Sequence, residues 1–225
     1  MTRMNVGQVL SCCELVTIHG DPVQIPEPQR LMHLQFRRYA GCPVCYLHLR
    51  SIARRHEEIL AAGIREVVVF HSSTDTMRGF QGGLPFAAIA EPEKKLYSEF
   101  GVEKMSPLAA LIAALTPRSW QAAGRALRRA PSLRGAAGKG EEHFGLPADF
   151  LIGPRGRVLA AKYGEYVDDQ WSVDELLDLA KNARHIVGAS PAPTGAPPRL
   201  RGGASRERRL ATDLVRQHVV IHYGG

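Results

Sequence analysis

The chain has 225 residues, of which 44% are hydrophobic and 23% are charged, a balance typical of a globular protein with one sizeable core. No apolar run reaches the roughly 18 residues of a membrane-spanning helix, and the N-terminus lacks a secretory-signal pattern, so we expect a cytoplasmic protein without a membrane partner. The net charge of +7 comes mostly from residues 183–225, which contain seven arginines and only two acidic residues. Because little of the positive charge belongs to the main domain, we expect no nucleic-acid partner for it.

The predicted elements begin with a β-hairpin. Two β-prone runs flank Gly20-Asp21-Pro22, whose composition is typical of a turn. The segment RLMHLQFRRY then predicts a mostly apolar strand that ends at Gly41. From Pro43 the apolar spacing becomes helical, and Gly63 stands where a C-terminal cap belongs. The sequence therefore predicts a strand that leads directly into one helix.

The rest of the pattern alternates strands with helices. REVVVFHSS predicts a strand, DTMRGFQG a short helix, PFAAIAEP a strand and EKKLYSEFGV a helix that ends at Gly101. We interpret residues 105–142 as an insertion. ADFLIGPRGRVLAAKYGEY then predicts two strands around a Pro-Arg-Gly turn, and DQWSVDELLDLAKNA predicts a helix. This alternation predicts an α/β fold whose sheet is covered on both faces.

The composition changes near the C-terminus. Residues 188–225 are rich in Pro, Gly, Ala and Arg, and such a segment buries too little apolar surface to offset the entropy of ordering. We therefore predict one domain over residues 1–187, insertion included, and a disordered basic tail over residues 188–225.

The cysteines Cys42 and Cys45 are the strongest candidates for chemistry. Cys42 lies at or just before the N-terminus of the predicted helix, where unpaired amides and the helix dipole favour a thiolate. Cys45 follows one turn later, close enough to form a disulfide with Cys42 without large backbone movement. A strand, a Cys-x-x-Cys pair and a helix provide the attacking and resolving thiols that thiol–disulfide exchange requires.

Two other interpretations of the pair remain open. A zinc site needs two more ligands, and the adjacent Cys12 and Cys13 have an unsuitable spacing to supply them. Two inert core cysteines are the other alternative. Redox chemistry is favoured over both, and it needs no metal and no prosthetic group. Cys12 and Cys13 are interpreted as bystanders, with an extra resolving thiol as the alternative.

These segments together resemble a thioredoxin-fold protein of the peroxiredoxin-like branch of the AhpC/TSA (alkyl hydroperoxide reductase and thiol-specific antioxidant) superfamily. The resemblance covers about residues 5–183, through the hairpin and the segments LQFRRYAGCPVC, EVVVFHSS, PFAAIAEPEKKLYSEFGV and FGLPADFLIGPRGRVLAAKYG. It implies a thioredoxin-like fold, with a central mixed sheet flanked by helices and an insertion before the Pro147 strand. It also implies that Pro147 is in a cis peptide bond and packs against the cysteines; an ordinary trans turn is the alternative.

The sequence departs from typical peroxiredoxins, which carry Pro-x-x-x-Thr/Ser-x-x-Cys. When the motif is aligned from Phe36, Cys45 falls on the peroxidatic cysteine, Cys42 on the hydroxyl position and Arg38 on the proline. The chain is more similar to the Cys-x-x-Cys proteins called peroxiredoxin-like 2, which have basic residues ahead of the pair. It also lacks the buried carboxylate that thioredoxin has on the preceding strand, where Gln35 and Phe36 stand instead.

Three residues before the pair are candidates for supporting roles. Arg37 and Arg38 point in opposite directions along the strand, so we expect one of them to approach the sulfurs and stabilise a thiolate. The alternative is that both are solvated or paired with acidic residues. Tyr39 is a candidate hydrogen-bond donor or a packing residue.

The resemblance implies a thiol-dependent oxidoreductase that reduces hydroperoxides through a Cys42–Cys45 redox pair. An external thiol, such as a thioredoxin or glutathione system, would then reduce the disulfide. The alternatives are a thioredoxin-like reductase of protein disulfides and a non-catalytic thioredoxin-fold binding module. The sequence does not decide which cysteine attacks first or how many chains assemble.

Overall fold

A computed structural model describes residues 2–102 and 145–188, the last five of them as backbone, together with isolated helical residues at positions 121, 124 and 128. Most of the predicted insertion and the predicted tail lie outside the described residues. None of the described helices is long and apolar enough to cross a membrane. The elements, in chain order, are β1 (Cys13–Val16), β2 (Pro22–Ile25), β3 (Leu31–Arg37), α1 (Pro43–Arg54), α2 (His56–Ala61), β4 (Ile64–Phe70), α3 (Thr74–Gln81), β5 (Ala87–Ala90), α4 (Lys95–Glu99), β6 (Ala148–Ile152), β7 (Val158–Tyr163) and α5 (Val173–Gly188).

The central sheet has five strands in the order β5-β4-β3-β6-β7. The first three in space are parallel, whereas β6 runs antiparallel to β3 and β7 runs antiparallel to β6. β3 is therefore the middle strand, and its register places Gln35 opposite both Val68 on β4 and Asp149 on β6. This arrangement confirms the predicted mixed sheet.

Different elements bury the two faces of the sheet, because successive side chains of a strand point to opposite faces. On one face Leu34 and Phe36 pack with α4 and with the β1–β2 hairpin. On the other face Val68 and Phe70 pack with α1 and α3, and Leu151 packs with α1, α2 and α5. The predicted covering of both faces is confirmed.

The N-terminal hairpin is also confirmed, as a separate two-stranded antiparallel sheet. Its turn is closed by a hydrogen bond from the Thr17 amide to the Asp21 carbonyl, 2.9 Å long. Gly20 has a φ of +98°, which a residue with a side chain rarely adopts. The Ile18 amide donates to the Ala88 carbonyl at 2.9 Å, which ties the turn to β5.

The single helix predicted after Gly41 is wrong, since the structure divides it into α1 and α2. Between them Arg55 leaves helical geometry, with φ −112° and ψ 20°, and its amide bonds to the Ile52 carbonyl in a tighter turn. The Arg55 guanidinium binds Glu58 and, on α5, Asp174, with both contacts at 2.7 Å. Gly63 follows α2 with a φ of +62°, as its predicted capping position requires.

Candidate redox site

Cys42 is the N-cap residue of α1, because its backbone is extended (φ −63°, ψ 116°) and the next residue, Pro43, begins the helix. The Cys42 sulfur accepts a hydrogen bond from the Cys45 amide at 3.4 Å. A helix leaves its first amides without backbone partners, and a sulfur at this position satisfies one of them. The structure therefore brings Cys42 and Cys45 together at the helix N-terminus, where the sequence predicted them.

The electrostatic environment distinguishes the two thiols. Burial raises the pKa of Cys42, but the hydrogen bond from the Cys45 thiol, the positive charge of Arg38 and the first amides of α1 outweigh burial and lower this pKa from 9.0 to about 6. The nearest Arg38 nitrogen, Nη1, lies 3.8 Å from the Cys42 sulfur. Burial and the neighbouring Cys42 sulfur raise the pKa of Cys45 well above its usual value. This environment therefore favours ionisation of Cys42 over ionisation of Cys45.

Both cysteines are fully buried, each with 0% of its surface exposed. They lie in an apolar cluster between the sheet, α1 and α3, with Leu49, Phe70 and Met77 among its members. All four cysteines of the chain are free thiols. A substrate of this pair must be small enough to reach a covered sulfur, or the first turn of α1 must open.

Side chains from the segment after β4 and from α3 hold the loop between β3 and the pair. The Ser72 hydroxyl accepts from the Ala40 amide at 2.8 Å, and Gln81 Nε2 donates to the Ala40 carbonyl at 2.7 Å. The Cys42 amide donates to the Tyr39 carbonyl at 3.0 Å. Ser72 and Gln81 are both buried, so these bonds are shielded from water. The sequence analysis did not identify either residue.

The structure separates the two arginines before the pair. Arg38 is the one that reaches the sulfur, and Arg37 is fully buried on the sheet face covered by α1 and α5. Arg37 Nη2 lies 2.7 Å from both Asp149 Oδ1 and Gln35 Oε1. The described contacts of Arg37 thus neutralise a buried carboxylate and include no sulfur, which agrees with the alternative of an arginine paired with an acid.

Asp149 and Arg37 belong to a larger buried network of charges. His33 Nδ1 lies 2.9 Å from a Glu66 carboxylate oxygen, and His33 Nε2 lies 3.1 Å from Asp149 Oδ1. Burial lowers the pKa of His33, but the two carboxylates outweigh it and raise this pKa to about 9. Burial raises the pKa of Asp149, and the charges of Arg37 and His33 outweigh it and hold this pKa well below its usual value. Arg37 and His33 therefore lie in direct contact with the carboxylates that compensate their charge in the buried network.

The sequence analysis missed this network, although a signal was present. His33, Gln35 and Arg37 alternate with apolar residues in HLQFR, and this period of two places them on one face of β3. The strand was interpreted as mostly apolar because its partners, Glu66 and Asp149, lie on other strands. The buried carboxylates beside β3 are thus supplied by β4 and β6.

His48 connects the network to α1, the helix that begins after Cys42. Its Nε2 donates to the Trp171 carbonyl at 2.8 Å, and its Nδ1 lies 3.5 Å from Arg37 Nη2. Burial and the charge of Arg37 lower the pKa of His48 to about 3, so its ring is neutral. His48 lies one helical turn after Cys45. Its contacts therefore anchor α1 to the charged network one turn beyond the pair.

Tyr39 and Pro147, the other two predicted supporting residues, are both buried. The Tyr39 ring faces the Arg38 guanidinium, with 5.5 Å between the guanidinium carbon and the ring centroid. The peptide bond before Pro147 is trans, so the expected cis bond is wrong. The trans form is the usual state of an X-Pro bond. The Pro147 carbonyl accepts from the Gly164 amide at 2.9 Å and extends the β6–β7 ladder.

The remaining cysteines lie in the hairpin. Cys12 is exposed and accepts a hydrogen bond from Gln24 Nε2 at 3.2 Å, and Cys13 is half-buried at the start of β1. Within residues 2–102 and 145–188, no group of three or more His, Cys, Asp or Glu side chains is arranged to hold a metal ion.

The fold is similar to those of solved peroxiredoxins. Peroxidoxin BcpB from Mycobacterium tuberculosis is 16% identical, with a TM-score of 0.58 over 81% of this chain and 99% of that one. The reduced 2-Cys peroxiredoxin of Plasmodium vivax is 14% identical, with a TM-score of 0.56 over 84% of this chain and 88% of that one. Peroxiredoxin 6 of Arenicola marina is 13% identical, with a TM-score of 0.56 over 84% of this chain and 79% of that one. These similarities confirm the predicted thioredoxin-like fold.

Sequence comparison adds the family. No curated protein matches the chain. The family model described as AhpC/TSA antioxidant enzyme matches residues 51–165, just over half of the chain. The match begins after Cys45, so it is independent of the cysteine pair. The chain belongs to the AhpC/TSA antioxidant enzyme family.

Proposed function

We propose that this protein reduces hydroperoxides, with Cys42 as the attacking sulfur and Cys45 as the resolving sulfur. Membership of the AhpC/TSA family supports a thiol-dependent redox function. The observation that carries the finer proposal is the position of the Cys42 sulfur, which caps α1 at 3.4 Å from the Cys45 amide and lies 3.8 Å from Arg38 Nη1. A thiolate at a helix N-terminus beside a cation is the reactive form of cysteine.

The proposed reaction has two steps. The Cys42 thiolate attacks one peroxide oxygen, the O–O bond breaks, and the other oxygen leaves as water or an alcohol after taking a proton, which converts Cys42 to a sulfenic acid. The Cys45 sulfur then attacks the Cys42 sulfur, the S–O bond breaks, and water leaves with the Cys45 proton. The two thiols have together given two electrons to the peroxide and are joined as a disulfide.

The burial of both sulfurs favours a hydroperoxide over a protein disulfide. A protein substrate must bring its own sulfur into line with the attacking sulfur, and both Cys42 and Cys45 are covered. A peroxide presents only two oxygen atoms and needs a much smaller opening. An external thiol completes the cycle, and the cytoplasm predicted from the sequence is a reducing compartment suited to this role.

The test uses the full chain and three single variants. Reduced protein is treated with one equivalent of hydrogen peroxide, and the cysteines are then mapped by peptide mass spectrometry, with dimedone present to trap sulfenic acid. We expect a Cys42–Cys45 disulfide in the parent protein, a trapped sulfenic acid on Cys42 in Cys45→Ser, and no rapid reaction in Cys42→Ser. Cys12→Ser is the matched control and should behave like the parent.

Two results would count against this proposal. A sulfenic acid trapped on Cys45 in the Cys42→Ser variant would reverse the two roles. A pair that ignores peroxide but exchanges rapidly with an oxidised protein substrate would favour the disulfide reductase instead.

A further inference from the structure

A cleft lies beside α2, at the opposite end of the sheet from the cysteines. Its lining comes from α2, the loop between β2 and β3, the start of β4 and the segment that enters β5. Cys42, in contrast, follows the carboxyl end of β3, which runs parallel to β4. The cleft has a volume of about 390 Å³, and we call it the α2 cleft. Sites for small molecules commonly have volumes of about 300–1,000 Å³, so it is large enough for a compact ligand.

Part of the α2 cleft is apolar. Its lining residues include Leu60 on α2 and Pro85 and Phe86 just before β5. The Phe86 ring lies against the ring of His56, with 5.5 Å between the two ring centroids, and Phe86 also packs against the core. These side chains provide a surface against which the apolar or aromatic part of a ligand can pack.

Among the described lining residues, all the charged side chains except one are compensated. Glu66 is almost fully buried, and its carboxylate accepts hydrogen bonds from the side chains of His33 and Gln35. Glu27 is paired with Arg65. The charge that remains in the α2 cleft is therefore the positive charge of the other lining arginine, Arg30.

Two groups of the α2 cleft lack partners within residues 2–102 and 145–188. Arg30 is exposed and forms no ion pair there. The Nδ1 atom of His56 is buried and has no hydrogen-bond partner there, although buried polar atoms in folded proteins are nearly always hydrogen-bonded. Because a buried nitrogen without a partner costs free energy, a ligand that supplies an acceptor is stabilised at this position.

We propose that the α2 cleft binds a small organic monocarboxylate with an aromatic or other apolar body. The Arg30 guanidinium binds the carboxylate, since this pair forms two parallel hydrogen bonds. The body of the ligand packs against Leu60, Pro85 and Phe86, and a carboxylate oxygen offers His56 the acceptor that it lacks. Binding at this site does not depend on the chemistry of the cysteines.

The charges of the α2 cleft select this class of ligand over others. Arg30 repels a cation, and a neutral ligand leaves its charge uncompensated. A second negative charge on the ligand would lie in a cleft that already contains the carboxylates of Glu27 and Glu66. An inorganic anion leaves the apolar surface uncovered.

The test measures binding of 2-naphthoate to the full chain by NMR of ¹⁵N-labelled protein. 2-Naphthamide has the same size without the charge, and acetate has the charge without the rings. We expect saturable binding of 2-naphthoate with a Kd of about 1 mM or tighter, and roughly tenfold or weaker binding of the other two compounds. The largest chemical-shift changes should fall in residues 27–30, 56–60 and 85–87.

Three variants assign the contacts. Arg30→Gln should weaken binding of 2-naphthoate roughly tenfold and abolish its advantage over 2-naphthamide. His56→Phe keeps an aromatic ring next to Phe86, removes both ring nitrogens and should weaken binding by a factor of about three or more. Arg155→Gln, at an exposed turn far along the chain, is the matched control and should change neither affinity. Because Arg30 is exposed, its substitution should leave the fold intact, and an unchanged spectrum away from the cleft verifies this.

Several results would overturn this proposal. They are the absence of saturable binding up to about 10 mM, an equal affinity for 2-naphthamide, and an affinity that Arg30→Gln does not change. Acetate that binds as tightly as 2-naphthoate would also overturn it, since it would show a simple anion site. A pair that ignores peroxide would overturn the proposed function and leave this binding result unaffected.

Discussion

Replacing Arg38 with glutamine tests the electrostatic origin of the Cys42 thiolate. Arg38 Nη1 lies 3.8 Å from the Cys42 sulfur, and Arg38 is half-buried. Two unit charges at this distance interact by about 4 kcal/mol at an effective dielectric constant of about 20. Solvent reaches part of the arginine and weakens this attraction to about a third to two thirds of that energy. We expect the variant to lose this remaining attraction.

A loss of this size raises the pKa of Cys42 by about one to two units, since one unit corresponds to about 1.4 kcal/mol. The pKa of about 6 would then become about 7 to 8. At pH 7 the thiolate fraction would fall from about 90% to between about 50% and 10%. Alkylation of Cys42 at neutral pH should therefore be about two to ten times slower.

The assay is the pH dependence of iodoacetamide alkylation, with Cys42 identified by peptide mass spectrometry. The midpoint of the profile reports the pKa directly. Arg38→Lys keeps the charge and should leave the midpoint within about half a unit of the parent value, and Arg155→Gln should leave it unchanged. A midpoint that does not move in Arg38→Gln would refute this reasoning and leave the helix amides as the source of the thiolate.

Three further predictions concern the buried polar groups. His33 has a folded pKa of about 9 against 6.5 when free, so its stabilisation is fully present below pH 6.5 and is lost as the pH rises through 9, a change of about 3 kcal/mol. The lowered pKa of Cys42 has the opposite effect, since it stabilises the fold as the pH rises over this range. Urea unfolding at pH 6 and at pH 9.5 should therefore be compared in the Cys42→Ser background, which removes that effect. In this background the second substitution His33→Asn should abolish most of the difference in unfolding free energy between the two pH values. Asp149→Asn leaves the buried Arg37 without a counter-ion and should lower the free energy of unfolding by about 3–5 kcal/mol at pH 7; a loss below about 1 kcal/mol would mean that water compensates this charge. Ser72→Ala removes the acceptor for a buried amide in the loop before the pair and should cost about 1–3 kcal/mol in the same assay, whereas an unchanged midpoint would show that another acceptor replaces it.

Local signals predicted the hairpin, β3 and the start of α1. The turn residues around Gly20, the change from apolar strand to helical spacing at Pro43 and the capping position of Gly63 each depend on residues a few positions apart. The break at Arg55 was not predictable in this way, because its contact on α5 is distant in sequence. Arg55 and Asp174 are 119 residues apart.

The cysteine pair shows the same division. The sequence placed Cys42 at a helix N-terminus and Cys45 one turn later, since both positions follow from local pattern. Which thiol ionises depends on where Arg38 points and on the burial of both sulfurs, and these are properties of the packed structure. The sequence could state only that one of two adjacent arginines would approach the pair.

The sequence by itself determined the α/β alternation, the family resemblance and the two cysteines, because periodicity, capping and motif spacing are local. Only the tertiary structure decided that Arg37 pairs with Asp149, 112 residues away, and that the cation nearest the sulfur is Arg38. It also decided that the bond before Pro147 is trans. The physical reason is that buried charges are stabilised by partners from other strands, and strand order and register, which no local pattern encodes, choose those partners.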